Sequence, residues 1–225
     1  PMLVAAIVTA LFVSASGRSA NACAGSLCPF CSAQSQTLSE EITAMDAAVI
    51  AVLESVPTVK PGSDEVVKAK FKVVEVIKGE KLLAKKPVIE TVYFGDSKSG
   101  KKFFVTGVGP ENIQWSTPLP LSDKAHKYLT QLTKLPKAGS ERLEFFQTYL
   151  EDADELLARD AYDEFAKAPY DVVQALKPKM NHEQIVGWVK DTNVVTSRRR
   201  LYLTLLGICG GKNDISMLET MLQSE

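Results

Sequence analysis

Apolar residues recur at strand spacing between Asp46 and about Pro120, and at helical spacing beyond Ser122. Ala47-Ala-Val-Ile-Ala-Val-Leu53 is a short apolar run of the kind that fills a buried strand. Val67, Ala69, Phe71 and Val73 then alternate with Lys68, Lys70 and Lys72, so one face turns inward and a lysine row turns to water. The alternation slips at Val73-Val74 before Val76, which predicts a β-bulge. Lys78-Gly79 closes that strand. Val88-Ile-Glu-Thr-Val-Tyr-Phe94 and Lys102-Phe-Phe-Val-Thr106 predict two more, on either side of the turn-like Gly95-Asp-Ser-Lys-Ser-Gly100. A last short strand carries Ile113 and Trp115. Five short antiparallel strands with polar turns predict a small barrel.

Helical signals flank this region. Thr37-Leu-Ser-Glu-Glu-Ile42 opens a short helix that Thr37 or Ser39 can cap. Ser122 or Asp123 caps another, which holds Ala125, Tyr128, Leu129 and Leu132. Leu135-Pro-Lys-Ala-Gly-Ser140 reads as a connector and predicts a domain boundary. Beyond it the chain repeats itself. Phe146-Gln-Thr-Tyr-Leu-Glu-Asp152 lies over Ile185-Val-Gly-Trp-Val-Lys-Asp191, and Arg159-Asp160-Ala161-Tyr162 lies over Arg199-Arg200-Leu201-Tyr202. Each unit has an apolar and aromatic helix end, an Asp at the turn and a second helix. A period of about 40 residues with two helices per unit is the HEAT-type pattern, in which stacking buries a face that one pair cannot cover. Asp214 to Leu222 would begin a further unit, and the end at Glu225 is expected to be a truncation.

The first 22 residues stand apart. Met2-Leu-Val-Ala-Ala-Ile-Val-Thr-Ala-Leu-Phe-Val13 is a short apolar run, and Ala20-Asn21-Ala22 supplies an A-x-A cleavage pattern, so residues 1–22 predict a secretion signal. The run is shorter than the ~20 residues a spanning helix needs. With Pro1 first and no basic residue before the run, the true start is expected upstream. Cleavage leaves Cys23 as the candidate mature N-terminus. Lipidation there would anchor the chain to a membrane, but Ala20 and Asn21 fit ordinary cleavage better than a lipoprotein signal.

Composition narrows the possible chemistry. Of 225 residues, 45% are hydrophobic and 24% charged, as in ordinary folded domains. A formal net charge of −1 gives no electrostatic reason to expect nucleic acid or an anionic membrane. His126 and His182 have no partners at ligand spacing, which removes most histidine-based metal and acid–base chemistry. The aromatics fall on apolar positions instead of interleaving with the lysines, so the barrel is not expected to bind nucleic acid. No nucleophile-elbow, P-loop or zincin motif occurs.

From Asp46 to Gly107 the chain resembles the netrin-like fold of the tissue inhibitors of metalloproteinases. The resemblance rests on the N-terminal cysteine segment, Ala47-Ala-Val-Ile-Ala, Phe71-Lys-Val-Val-Glu-Val-Ile-Lys78-Gly79 and Gly100-Lys-Lys-Phe-Phe-Val105. It implies an OB-like five-stranded barrel. Joined to HEAT-like repeats, the arrangement also resembles exported bacterial proteins of unknown function. Members of the inhibitor family begin Cys-x-Cys and hold the first cysteine by a disulfide to the barrel. Here the spacing is Cys28-x-x-Cys31, and the predicted barrel strands contain no cysteine.

Cys28-Pro29-Phe30-Cys31 is therefore open to two readings. It is a local disulfide stapling the N-terminus, or a redox pair of the thiol–disulfide oxidoreductase kind. Four cysteines, with Cys209 the fourth, allow three full pairings. Arg198-Arg199-Arg200 is the candidate partner-binding patch, against the alternative of a solvated face with stems over apolar surface. The expectation is an α+β chain in three parts: a signal at 1–22, an OB-like barrel with cysteine segment and closing helix at 23–135, and HEAT-like repeats at 141–225. The expected role is an exported, periplasmic or extracellular, non-enzymatic protein that binds a protein partner. No cofactor, metal or nucleic acid is expected, and membrane contact only through lipidated Cys23 or a retained signal. Inhibition through the mature N-terminus is the alternative beside thiol exchange.

Overall fold

The computed structural model describes residues 35–56, 68–83, 87–95 and 98–223. The predicted signal, Cys23, Cys28 and Cys31 lie outside the described residues. The first strand, β1 (Ala47–Ser55), pairs antiparallel with β2 (Lys68–Lys78) on one side and β4 (Lys102–Val108) on the other. β3 (Val88–Val92) extends the sheet beyond β2, and β5 (Gln114–Trp115) and β6 (Leu119–Leu121) both pair with β4. The order β3-β2-β1-β4-β5 curls into a nearly closed barrel. Across its gap the Thr91 hydroxyl of β3 bonds the carbonyls of Trp115 (3.3 Å) and Ser116 (3.1 Å). β6 was not foreseen. It carries Pro120, which lacks a ladder donor and so fits only an edge.

The alternation of β1 serves two cores at once. Ala47, Val49, Ala51 and Leu53 point into the barrel, against Phe71, Tyr93 and Phe103, whose rings meet edge-on at 5.3–5.8 Å. Ala48 and Ile50 point outward and are covered by helices. The expected bulge is present: Ile50 faces Glu75 and Ala51 faces Val73, leaving Val74 as the extra residue. Exposure keeps its period of two through the bulge, so Val74 and Val76 are exposed in line with Lys68, Lys70 and Lys72, and the slip in the sequence pattern places two valines on the water face.

A short helix, α1 (Leu38–Ala44), precedes β1. α2 (Glu80–Leu83) follows β2, and α3 (Asp123–Leu132) follows β6 with Ser122 as its cap. The rest is helical: α4 (Ser140–Gln147), α5 (Glu155–Lys167), α6 (Tyr170–Ala175), α7 (His182–Lys190), α8 (Thr196–Cys209) and α9 (Ile215–Gln223). α4 packs on α5, α7 on α8, and α5 on α8. Both turns are built alike. Asp152 accepts from the amide of Asp154 (2.9 Å) and Asp191 from that of Asn193 (2.8 Å), the same side-chain turn after α4 and after α7. The chain is α+β, a barrel followed by helices.

The connector does not separate two cores. One buried cluster runs from the outer barrel face (Ala48, Ile50, Phe104, Leu121) through Tyr128 and Leu129 of α3 to Leu157, Phe165, Leu201 and Tyr202. Tyr149 and Trp188, at matching repeat positions, are half-buried rather than central. Tyr149 meets Tyr128 of α3 edge-on (4.8 Å), and Trp188 lies tilted against Tyr202 of α8 (4.8 Å). Phe94 (83% exposed) and Tyr170 (57%) depart from the expectation that every aromatic is apolar-facing.

Candidate functional site

The chain enters the described fold beside α5, and α5 holds it by four side chains. Arg159 donates to the Ser35 hydroxyl (2.6 Å), and the Ser35 amide reaches Asp163 (3.3 Å). Asp160 accepts from the Leu38 amide (2.7 Å) and the Tyr128 hydroxyl (2.6 Å). Lys167 pairs with Glu40. Leu38 N–H is one of the donors that a helix start leaves without an internal partner, so Asp160 caps α1 from a distant element. Thr37 completes the cap. Its hydroxyl accepts from Glu40 N–H (3.2 Å) and its amide donates back to the Glu40 carboxylate (2.9 Å). Of the two residues proposed as the cap, Thr37 is the one used. Ser39 lies inside the helix and accepts from Arg142 instead.

Burial dominates the electrostatics at this junction. It pushes Asp160 up to about 6, against the two donors that favour the carboxylate. Asp163 is shifted up for the same reason, and burial together with the Asp160 charge drives the Tyr128 phenol far up. The Lys167 ammonium holds Glu40 below its ordinary value.

A groove of about 650 Å³ opens beside these contacts, between α1, the end of α3, the connector and the helices α4 and α5. Ile42, Ala44, Leu132 and Leu135 give it an apolar lining, and Ser39, Thr43 and Thr133 supply hydroxyls. Its charged residues are Glu40, Lys137, Arg142, Glu164 and Lys167. Arg142 grips Glu164 with two parallel bonds (3.1 and 2.7 Å), reaches Ser39 (2.6 Å) and the Pro136 carbonyl (3.3 Å), and lies over the Phe146 ring. Arg142 thus ties the connector, α1, α4 and α5 together at the groove wall.

The three arginines singled out in the sequence have different surroundings. Arg198 pairs with Glu155 and, at 3.8 Å, with Glu151, which spans the two helix pairs. Arg199 donates to the carbonyls of Asp191 (2.7 Å) and Val194 (3.1 Å) at the turn before its own helix. Arg200 is exposed. The histidines bond carboxylates. His126 meets Glu75 (2.7 Å) between α3 and β2, and His182 meets Asp214 (3.0 Å). Cys209 is half-buried, has no disulfide partner among the described residues, and its thiol is pushed up by burial. Among the described residues no group of three or more His, Cys, Asp or Glu side chains is placed to hold a metal ion, and no helix is long and apolar enough to cross a membrane.

Neither Asp160 nor the groove was foreseen. One local signal was available: Asp160 falls three residues after Leu157 on the stripe that continues to Ala161, an acid on an otherwise apolar helix face. No protein-family model matches the sequence, and a search of curated proteins finds no match.

Proposed function

We propose that this chain is an exported, non-enzymatic protein-interaction protein in which a netrin-like barrel carries a HEAT-like helical array. The observation that carries the interaction reading is the charge pairing at the groove. Glu40 is committed to Lys167 and Glu164 to Arg142, so the lining offers apolar surface and shape rather than a group poised to react.

Support for the barrel's kinship comes from Lys78-Gly79. The Lys78 ammonium donates to the Thr43 carbonyl near the end of α1 (2.7 Å), and Gly79 takes a positive φ of 85° directly against the start of β1. The dipeptide closes β2, as the resemblance implies, and joins the end of α1 to the start of β1. Support for the repeats comes from the matched Asp turns and from Tyr202, whose hydroxyl donates to the Leu150 carbonyl of the preceding unit (3.1 Å). Export rests on residues 1–22 of the sequence.

A photo-crosslinking residue at exposed Thr133, on the groove rim, tests the interaction reading in cells that export the chain. The expected result is a discrete adduct with one protein that excess unlabelled chain competes away. Absence of any competed adduct, from Thr133 or from Lys137, would overturn it. Intact mass of the secreted material should match a chain beginning at Cys23.

A further inference from the structure

Among the described residues that line the groove, the Lys137 ammonium has no carboxylate partner and the Ser39 hydroxyl accepts a bond without donating one. Arg142 and Lys167 are neutralised by Glu164 and Glu40, but among the described residues Lys137 has no carboxylate within ion-pair distance. The lining therefore carries a net single positive charge, from Lys137. Ser39 accepts from Arg142 at 2.6 Å, so its oxygen is occupied as an acceptor and its own O–H is left to donate. Next to these lie Ile42, Leu132 and Leu135.

We propose that this groove binds the free C-terminus of a partner polypeptide ending in apolar residues. This deepens the interaction reading and rests on it. The terminal carboxylate takes the Lys137 ammonium and the Ser39 hydroxyl, and the last side chains lie on Ile42, Leu132 and Leu135. A single anion on an apolar stem complements a net single cation over an apolar lining. The hydroxyls of Thr43 and Thr133 favour a peptide over an aliphatic chain. Each already donates within its own helix, to the carbonyls of Ser39 (2.7 Å) and Thr130 (3.0 Å), which leaves each oxygen able to accept a backbone N–H. A volume of about 650 Å³ suits a few residues and not a folded domain.

The test uses fluorescein-labelled hexapeptides whose last three positions are varied over Ala, Val, Leu, Ile and Phe, prepared as free acids and as amides. Fluorescence anisotropy with the full chain should show saturable binding of the acids, at least tenfold weaker binding of the amides, and displacement of the acids by excess unlabelled acid. Lys137→Glu, an exposed substitution, should remove the preference for the acid while the melting temperature holds. Equal binding of acid and amide, no saturable binding, or an unchanged preference in Lys137→Glu would each overturn the proposal. Displacement by decanoate as efficient as by peptide would also overturn it, since a free fatty acid would then suffice. The wider reading fails separately. If the crosslinked adduct at Thr133 persists in Lys137→Glu, a partner binds there without its carboxylate being clamped. If no adduct forms with either protein, the interaction reading itself falls.

Discussion

Burial works against the Asp160 carboxylate while two donors favour it, and burial prevails, pushing its pKa up to about 6. An unfolded aspartate titrates near ~3.9, so the folded chain holds this proton more tightly than the unfolded chain does. The resulting stability is full below about pH 4 and is lost as the pH rises through about 6. Glu40, Asp123, Asp152 and Asp214 are shifted the other way and lose their contribution on acidification. They are common to parent and variant, so a difference measurement cancels them. Asp160→Asn removes the titration and keeps an oxygen for the Leu38 amide or the Tyr128 hydroxyl. Its unfolding free energy relative to the parent should rise between pH 4 and pH 7, by on the order of 2–3 kcal/mol. A flat difference across that range would show that burial does not govern the group. Asp160→Ala also lacks the titration and should show the same rise, displaced downward by about 1–3 kcal/mol for each buried donor left unpaired.

Elements are joined by contacts whose local signals vary in clarity. Two glycines separate backbone strain from packing. Gly79 (φ 85°) and Gly100 (φ 92°) both occupy the left-handed region, but a Cβ on Gly79 would lie 2.7 Å from the Asp46 carbonyl oxygen, and one on Gly100 would meet nothing within 4 Å. Gly100→Ala should cost about 1 kcal/mol, the conformational part alone. Gly79→Ala should cost a further 1–3 kcal/mol or so, because the start of β1 must move, and denaturant titration of the pair reads the difference. A Gly79→Ala no worse than Gly100→Ala would mean that α1 and β1 are not held tightly at this point. Other junctions were legible without coordinates. The bulge at Val74, the Ser122 cap and the repeated Asp turns depend on residues within a few positions of one another, where periodicity and turn chemistry act. The groove is not of that kind. It assembles from residues 37–44, 132–142 and 164–167, and the bond from Leu38 to Asp160 crosses 122 positions. β6 was missed for a different reason, since its Pro120 argues locally against a strand and only the edge position beside β4 permits one.

At the scale of the molecule, the connector from Leu135 to Ser140 reads as a boundary in the sequence, yet apolar packing passes beside it without interruption. Tyr128 has ring contacts with Phe145, Phe146 and Tyr149, all from beyond the connector, while its hydroxyl reaches Asp160. Arg142 holds the connector itself to α1 and α5. Cutting there would uncover Leu38, Phe104 and Leu129 on the barrel side, and Phe146, Leu157 and Phe165 on the helical side. Each fully buried apolar side chain of this size contributes about 1.5–3 kcal/mol, and a domain's net stability is only about 5–15 kcal/mol. The barrel would keep its interior cluster, but losing several such groups would take most of either half's net stability, so the two halves should unfold together. The chain's two tryptophans report on one half each, Trp115 in β5 of the barrel and Trp188 in α7. In Trp115→Phe and Trp188→Phe, the remaining indole should follow a denaturant transition that coincides with the one seen by far-ultraviolet circular dichroism. Residues 35–135 expressed alone should bind a hydrophobic dye and lack a cooperative transition. If the barrel indole instead reports a transition well separated from the helical one, the shared cluster is too weak to couple them. The connector would then be a functional boundary, with the groove at a hinge between two units rather than inside one.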